Sequence, residues 1–369
     1  MRDNIMKKWI ALFLAMTCLL SGCALVPART TMPTEVPTTE TTVPPTTEAP
    51  TTEPTTEPAP VYTNPLNGET LDAPYTGRVV AVTISNIHDA LPHYGTLGAD
   101  ILMEMWVNGS IIRDLALYTD ITKVEEIGSV RSVRPMFNEI VKHYDAALLD
   151  AGGSDQALGH AKSLGVNRIN VDAYDGTDYS YRKMDRDFTF KPASKLEHCL
   201  FVKTAGVQAL LEDKGYATTQ PEDKDYGLHF TENGTPENGE AAGTVTVTFT
   251  YRNNVKPTTM AYDESLGKYV YNQYDTAMVD GATGTPECFT NVIVMLADIS
   301  MDGIYYTANF TAGGTGYYAN GGKIIPITWT AADDDSPFCF FTADGQPLEL
   351  GVGNTYMAVA PAESTVSYE

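Results

Sequence analysis

The chain is short of cations, cysteine and tryptophan, and it has no apolar run long enough to span a bilayer. Its 369 residues carry 24 Lys+Arg against 47 Asp+Glu, a formal net charge of −23 at pH 7. A surface of that sign repels phosphate backbones and anionic lipid, so nucleic acid is excluded as a partner. Beyond the N-terminal region only Cys199, Cys288 and Cys339 remain, which allows at most one disulfide and leaves an odd thiol. The disulfide framework of small stapled secreted domains is therefore absent, and buried structural thiols are expected. No CxxC pair or HExxH helix occurs. Asp333-Asp334-Asp335 fails as a calcium loop, because Pro337 and Phe338 stand where a ligand and a glycine are needed. The glycine runs Gly313-Gly314 and Gly321-Gly322 open no helix and end in no GK[ST], so they read as turns. Neither a metal nor a cofactor is expected.

What is present begins with an address. Arg2, Lys7 and Lys8 precede the apolar stretch Trp9–Leu20, too short for a spanning helix of roughly 20 residues. Leu20-Ser21-Gly22-Cys23 then matches a bacterial lipobox. Residues 1–22 thus read as a lipoprotein signal peptide, with Cys23 the lipidated first residue of the mature chain. The membrane becomes a partner through that lipid, and the mature protein is expected extracytoplasmically, anchored to the outer face of the cell membrane. Removing residues 1–22 takes away three basic groups and one acidic, leaving 21 Lys+Arg against 46 Asp+Glu. Residues 23–61 repeat Thr, Pro and Glu with little to bury, a disordered linker that proline extends toward roughly 100 Å.

The remainder has two compositional parts. Residues 62–225 read as a mixed α/β domain and residues 240–363 as a mostly antiparallel β domain, an α+β or α/β two-domain chain. Arg78–Asn86 is continuously apolar, as a strand buried on both faces. Ile101–Val107 and Ile111–Tyr118 flank Asn108-Gly109, a hairpin signal. Met136, Phe137, Ile140, Val141 and Tyr144 recur at helical spacing. Ala146–Ala151 is a further buried strand, and Gly152-Gly153-Ser154 leads into a second helix with Ser154 as N-cap. A third helix is expected over Thr204–Lys214. A polar stretch from Gly215 to Gly243 separates the parts. Thr244–Tyr251 then alternates apolar and polar as a half-buried strand, and Asn291–Leu296 is buried more fully. Pro326 places Ile324–Trp329 at a sheet edge.

The segments NPLNGE, ADILMEM, GSIIR, IGSVRSVRP, HYDAALLDAGGS, EHCLF and GYYANGGKIIPITW together resemble the YerB-like lipoprotein family, defined by a domain of unknown function (3048) in N- and C-terminal halves. The resemblance covers nearly everything from Asn64 to Pro361. It implies a two-part envelope lipoprotein with a loose link to peptidoglycan synthesis, and it brings no reaction.

The charged residues of the region 99–154 carry the site expectations. Glu104, Arg113, Arg131, Arg134, His143, Asp145, Ser154 and His198 are the ligand-binding candidates. Arg131 and Arg134 stand just before a helix, where the dipole disfavours cations, so an acid should compensate. Glu104, Asp114, Asp145 or Asp150 would make the cluster an internal ion-pair network, with Glu104–Arg113 across the hairpin as the expected pair. A ligand carboxylate or phosphate held bidentately is the other reading. Gly152-Gly153-Ser154-Asp155-Gln156 lacks the last glycine of a nucleophile elbow, and Ser180–Lys183 matches SxxK without its companion motifs. A binding or regulatory lipoprotein is the reading preferred, its further partner an envelope protein or cell-wall polymer. The rival is a wall-polymer hydrolase or transferase built on Glu104, Arg131, Arg134 and His198.

Overall fold

The computed structural model describes residues 61–369; the signal peptide, Cys23 and nearly all of the linker lie outside the described residues. In chain order the elements that matter are β1 (Val80–Ser85), β2 (Ile101–Asn108), β3 (Ile111–Tyr118), α1 (Pro135–His143), β4 (Ala147–Asp150), α2 (Asp155–Ser163), β5 (Arg168–Asn170) and α3 (Val207–Asp213). There follow β6 (Thr244–Tyr251), β7 (Asn254–Asp263), β8 (Lys268–Gln273), β9 (Asn291–Ala297), β10 (Tyr305–Ala308), β11 (Gly314–Asn320), β12 (Lys323–Thr330), β13 (Thr355–Pro361) and β14 (Thr365–Tyr368). Among the described residues no helix is long and apolar enough to cross a membrane.

Both compositional parts feed one sheet of 13 strands, whose main order is Glu240–Ala241, β12, β11, β9, β13, β2, β3, β1, β4, β5. The join is β13, parallel to β9 on one side and to β2 on the other. Tyr356, Met357 and Val359 on this strand are fully buried. Each such side chain contributes about 1.5–3 kcal/mol by leaving water, so the last strands of the chain hold its first half. Residues 62–225 are less helical than expected of an α/β domain. β2, β3 and β1 are antiparallel, only β1, β4 and β5 run parallel, and the α-helices span 7 to 9 residues. Local signals placed most elements well, including the whole of β3 and β6. The third helix opens with a 3-10 turn over Thr204–Gly206 before α3. Pro326 does not lie on an edge strand. β12 is flanked on both sides, but one neighbour ends at Ile324 and the next begins at Ile327, so Pro326 faces the gap where no N–H is required. The NPLNGE turn docks through Asn64 Nδ2 and Asn67 Nδ2, which donate to Asp100 Oδ1 at 3.1 and 2.7 Å.

A six-stranded sheet containing β8, β7, β6 and β14 packs on one face of the large sheet. The two meet through charged residues rather than through hydrocarbon alone. Side chains alternate along a strand, and Glu104 of β2 pairs with Asp114 of β3 in register, so both carboxylates project toward the six-stranded sheet. Lys256 of β7 ion-pairs with Glu104 and donates from Nζ to Gln273 Oε1 at 2.6 Å and to Thr258 Oγ1 at 2.8 Å. The Tyr356 hydroxyl donates to the second Glu104 oxygen. Asn86 Nδ2 reaches Asp114 Oδ1 at 2.8 Å and the Tyr271 hydroxyl at 2.9 Å. His93 lies 3.6 Å from Asp114 and 3.3 Å from Glu287, all three buried. Burial, with the Glu104 charge adding to it, holds the Asp114 carboxyl well above the ordinary carboxylate range, while His93 opposes that shift. Burial would depress the His93 imidazole, but Glu287 and Asp114 raise it overall.

Three outcomes follow from this architecture. Residues 61–369 should unfold in one calorimetric transition, because β13 cannot leave one half without the other; two separable transitions would show independent halves. Lys256→Met strands the Glu104 carboxylate in the core and should cost about 3–5 kcal/mol in urea unfolding, with Glu104→Leu added to it recovering part of the loss. Asp114 has a raised folded-state value, so the stability it contributes is complete below about pH 4 and fades as pH rises toward that value. Stability measured for Asp114→Asn should accordingly decline less with rising pH than that of the wild type, and parallel curves would refute the assignment.

Candidate active-face site at the strand ends

The segment from Ser129 to Arg134 crosses the carboxyl ends of β1 and β4. Arg131 N donates to Thr83 O, Ser85 N to Ser129 O and Ala151 N to Arg131 O, each at 3.0 Å, and Val133 N donates to Gly152 O at 2.8 Å. Gly153 permits this approach: a Cβ there would sit 2.7 Å from Val133 Cγ1. The crossing ends at Arg134 and Pro135, where α1 starts with no side-chain cap, whereas the Ser154 hydroxyl caps α2 by accepting from Ala157 N at 3.2 Å. Ligands of open α/β sheets occupy this position, beyond the carboxyl ends of parallel strands and beside helix N-termini.

Arg113 reaches the same segment from β3. It neighbours Asp114 in sequence, so the pleat sends it to the opposite face of the sheet, where its Nη1 donates to Ser132 O. The residue is 3% exposed. Among the described residues no carboxylate pairs with it, and no hydrogen bond is made by its Nε or Nη2. Burial drives the Arg113 guanidinium well below the ordinary arginine range, and the charges of Arg134 and Arg131 push the same way. Arg134 is half-buried, packs its guanidinium 5.1 Å from the centroid of the Tyr305 ring, and leaves a buried Nε without a partner. Burial depresses it too, with Tyr305 opposing and Arg131 adding to the shift. Arg131 alone has an acid, Glu197 at 3.5 Å, whose side chain is 60% exposed; a pair that open contributes about 1 kcal/mol at most. Arg131 and Ser132 also line a cleft of about 210 Å³ with Arg182, Leu196 and the acids Asp172 and Glu197, which pair with Arg182 and Arg131.

The acids expected to neutralise these arginines are engaged elsewhere. Glu104 is held by Lys256 on the other face, and the β2–β3 register sets Met105, not Glu104, opposite Arg113. Asp145 pairs with Arg78 at 3.0 Å. Asp150 accepts from Arg168 Nε at 2.8 Å; burial nonetheless lifts it to about 6 against the pull of Arg168. The expected Glu104–Arg113 pair is therefore absent.

The remaining candidates divide. His198 is buried with its Nδ1 unpartnered, and burial together with Arg131 depresses its imidazole. Ser154 is close in the chain to Gly153 but serves α2 as its cap, and no histidine bonds to it among the described residues. His143 lies at the far end of α1, its Nδ1 2.6 Å from Ser336 O and its ring beside Phe338. Glu104, Arg131, Arg134 and His198 hence do not converge on one cleft. Sequence reasoning missed Tyr305, brought in by the pairing of Tyr305 with Asn108, and the inter-sheet residues Asn86, His93, Lys256 and Glu287. Lys256 had a readable signal: with Thr258 and Met260 it occupies the inward positions of an alternating strand. Cys199, Cys288 and Cys339 are free thiols.

Comparison with known proteins agrees with this architecture. Residues 66–217 match the N-terminal domain and residues 245–357 the C-terminal domain of the family described as protein of unknown function DUF3048. The chain is 26% identical over 310 residues to "Putative lipoprotein YerB" of Bacillus subtilis (strain 168), covering 80% of this chain and 88% of that one. Its fold is similar to the crystal structure of the YerB protein from Bacillus subtilis, with a TM-score of 0.68 at 24% identity over 83% of this chain and 99% of that one. The chain belongs to the DUF3048 family, whose two domains here share one sheet.

Proposed function

We propose that the protein is an extracytoplasmic lipoprotein, tethered to the outer face of the cell membrane through Cys23, that binds an anionic envelope ligand at Arg113, Arg131 and Arg134. The observation that carries this reading is Arg113, a buried guanidinium in a strongly acidic chain with no carboxylate partner among the described residues. A charge left unpaired in a core is costly, and a protein with so many acids had the means to neutralise it. The unused Nε–Nη2 edge of a guanidinium matches two acceptor oxygens, as a carboxylate or phosphate presents them. A Thr/Pro/Glu-rich segment between a lipidated Cys23 and the folded part would suit a binding or regulatory module tied to wall synthesis.

A site retained for binding at the expense of folding makes an unusual prediction. Arg113→Met should stabilise residues 61–369 by roughly 1 kcal/mol or more in urea unfolding, while reducing what the lipoprotein retains from detergent-solubilised envelope. Arg131→Ala/Arg134→Ala should lose the same material. If Arg113→Met is instead markedly destabilised and the double variant retains what the wild type does, the arginines are structural.

A further inference from the structure

We propose that the anion recognised by the arginine cluster is a phosphoryl group carrying two negative charges; this rests on the binding reading above. Two guanidinium groups, those of Arg113 and Arg134, have no carboxylate partner among the described residues, while Arg131 already has Glu197. One carboxylate would neutralise half of that surplus, and a dianion neutralises it.

The donors are also more numerous than a carboxylate can use. Arg113 offers Nε and Nη2, neither of which makes a hydrogen bond among the described residues. Arg134 offers a buried Nε without a partner. α1, nine residues long, begins at Arg134-Pro135 without a side-chain cap, so its dipole adds to the field at the same point. Donors approaching from two elements, β3 and the start of α1, suit the tetrahedral oxygens of phosphate better than two coplanar ones. Burial, with Arg134 and Arg131 adding to it, lowers Arg113, and burial with Arg131 lowers Arg134, as fits a site whose charge is balanced only when it is filled.

The side of Arg134 is aromatic, because the Tyr305 ring lies against its guanidinium. An organic group esterified to the phosphate would rest there, so a monoester of an apolar alcohol should bind at least as well as free phosphate.

The test is calorimetric titration of the full mature lipoprotein in detergent with phenyl phosphate, inorganic phosphate and benzoate. Phenyl phosphate should bind at least tenfold more tightly than benzoate, and its affinity should rise as pH passes about 6, where the second phosphate proton leaves. Arg113→Met and Arg134→Gln should each lower phosphate affinity at least tenfold; the second, half-buried position serves if the first variant misfolds. Tighter binding of phenyl phosphate assigns the site to an ester, and equal binding assigns it to free phosphate. Benzoate binding as well as phenyl phosphate, with no rise across pH 6, would overturn the phosphoryl assignment and leave anion binding intact. No arginine-dependent binding of any of the three would overturn both.

Discussion

Consecutive residues of one β-strand must point to opposite faces of the sheet. In β3 those residues are Arg113 and Asp114, a base and an acid that cannot meet. Asp114 is turned toward the six-stranded sheet, where Asn86, His93 and the Glu104–Lys256 pair receive it. Arg113 is turned toward the helices, where the crossing segment supplies carbonyls and further arginines but no acid. One pleat thus separates an inter-sheet network that holds acids and bases together from a cationic site that has no acid of its own beside Arg113.

The join through β13 gives that separation its rigidity. Tyr356 of β13 donates to Glu104 of β2, and Lys256 arrives from β7, so residues more than 150 positions apart in the chain fix one carboxylate. Holding Glu104 and Asp114 in this way also fixes the hairpin that carries Arg113. The arginine site therefore stands on a strand clamped from its other side, as a binding residue needs if its geometry is to persist in the absence of ligand.

Local chemistry made much of this legible. The alternation of Thr244–Tyr251, the hairpin signalled around Asn108-Gly109 (its loop is Gly109-Ser110) and the helical spacing of Met136, Phe137, Ile140 and Val141 are properties of short windows, and the fold keeps them. The pairing of charges was not legible, because it depends on long-range register. Glu104 and Arg113 look adjacent across a hairpin, yet a shift of one residue decides whether two side chains share a face. Nor could the sequence bring Tyr305 to Arg134, since that contact depends on a strand pairing between β10 and β2. The cluster of Arg131 and Arg134 at a helix start was visible; that its expected acids would each find another base was not.

The most direct test of the account is a crystal structure of residues 61–369 soaked with selenate, a tetrahedral dianion located by its anomalous signal. The account predicts selenate oxygens within about 3 Å of Arg113 Nε and Nη2, with Arg134 and the start of α1 completing the contacts. Selenate bound only elsewhere, with a carboxylate of the chain lying against Arg113, would show that the cluster is an internal ion pair and would contradict the central claim.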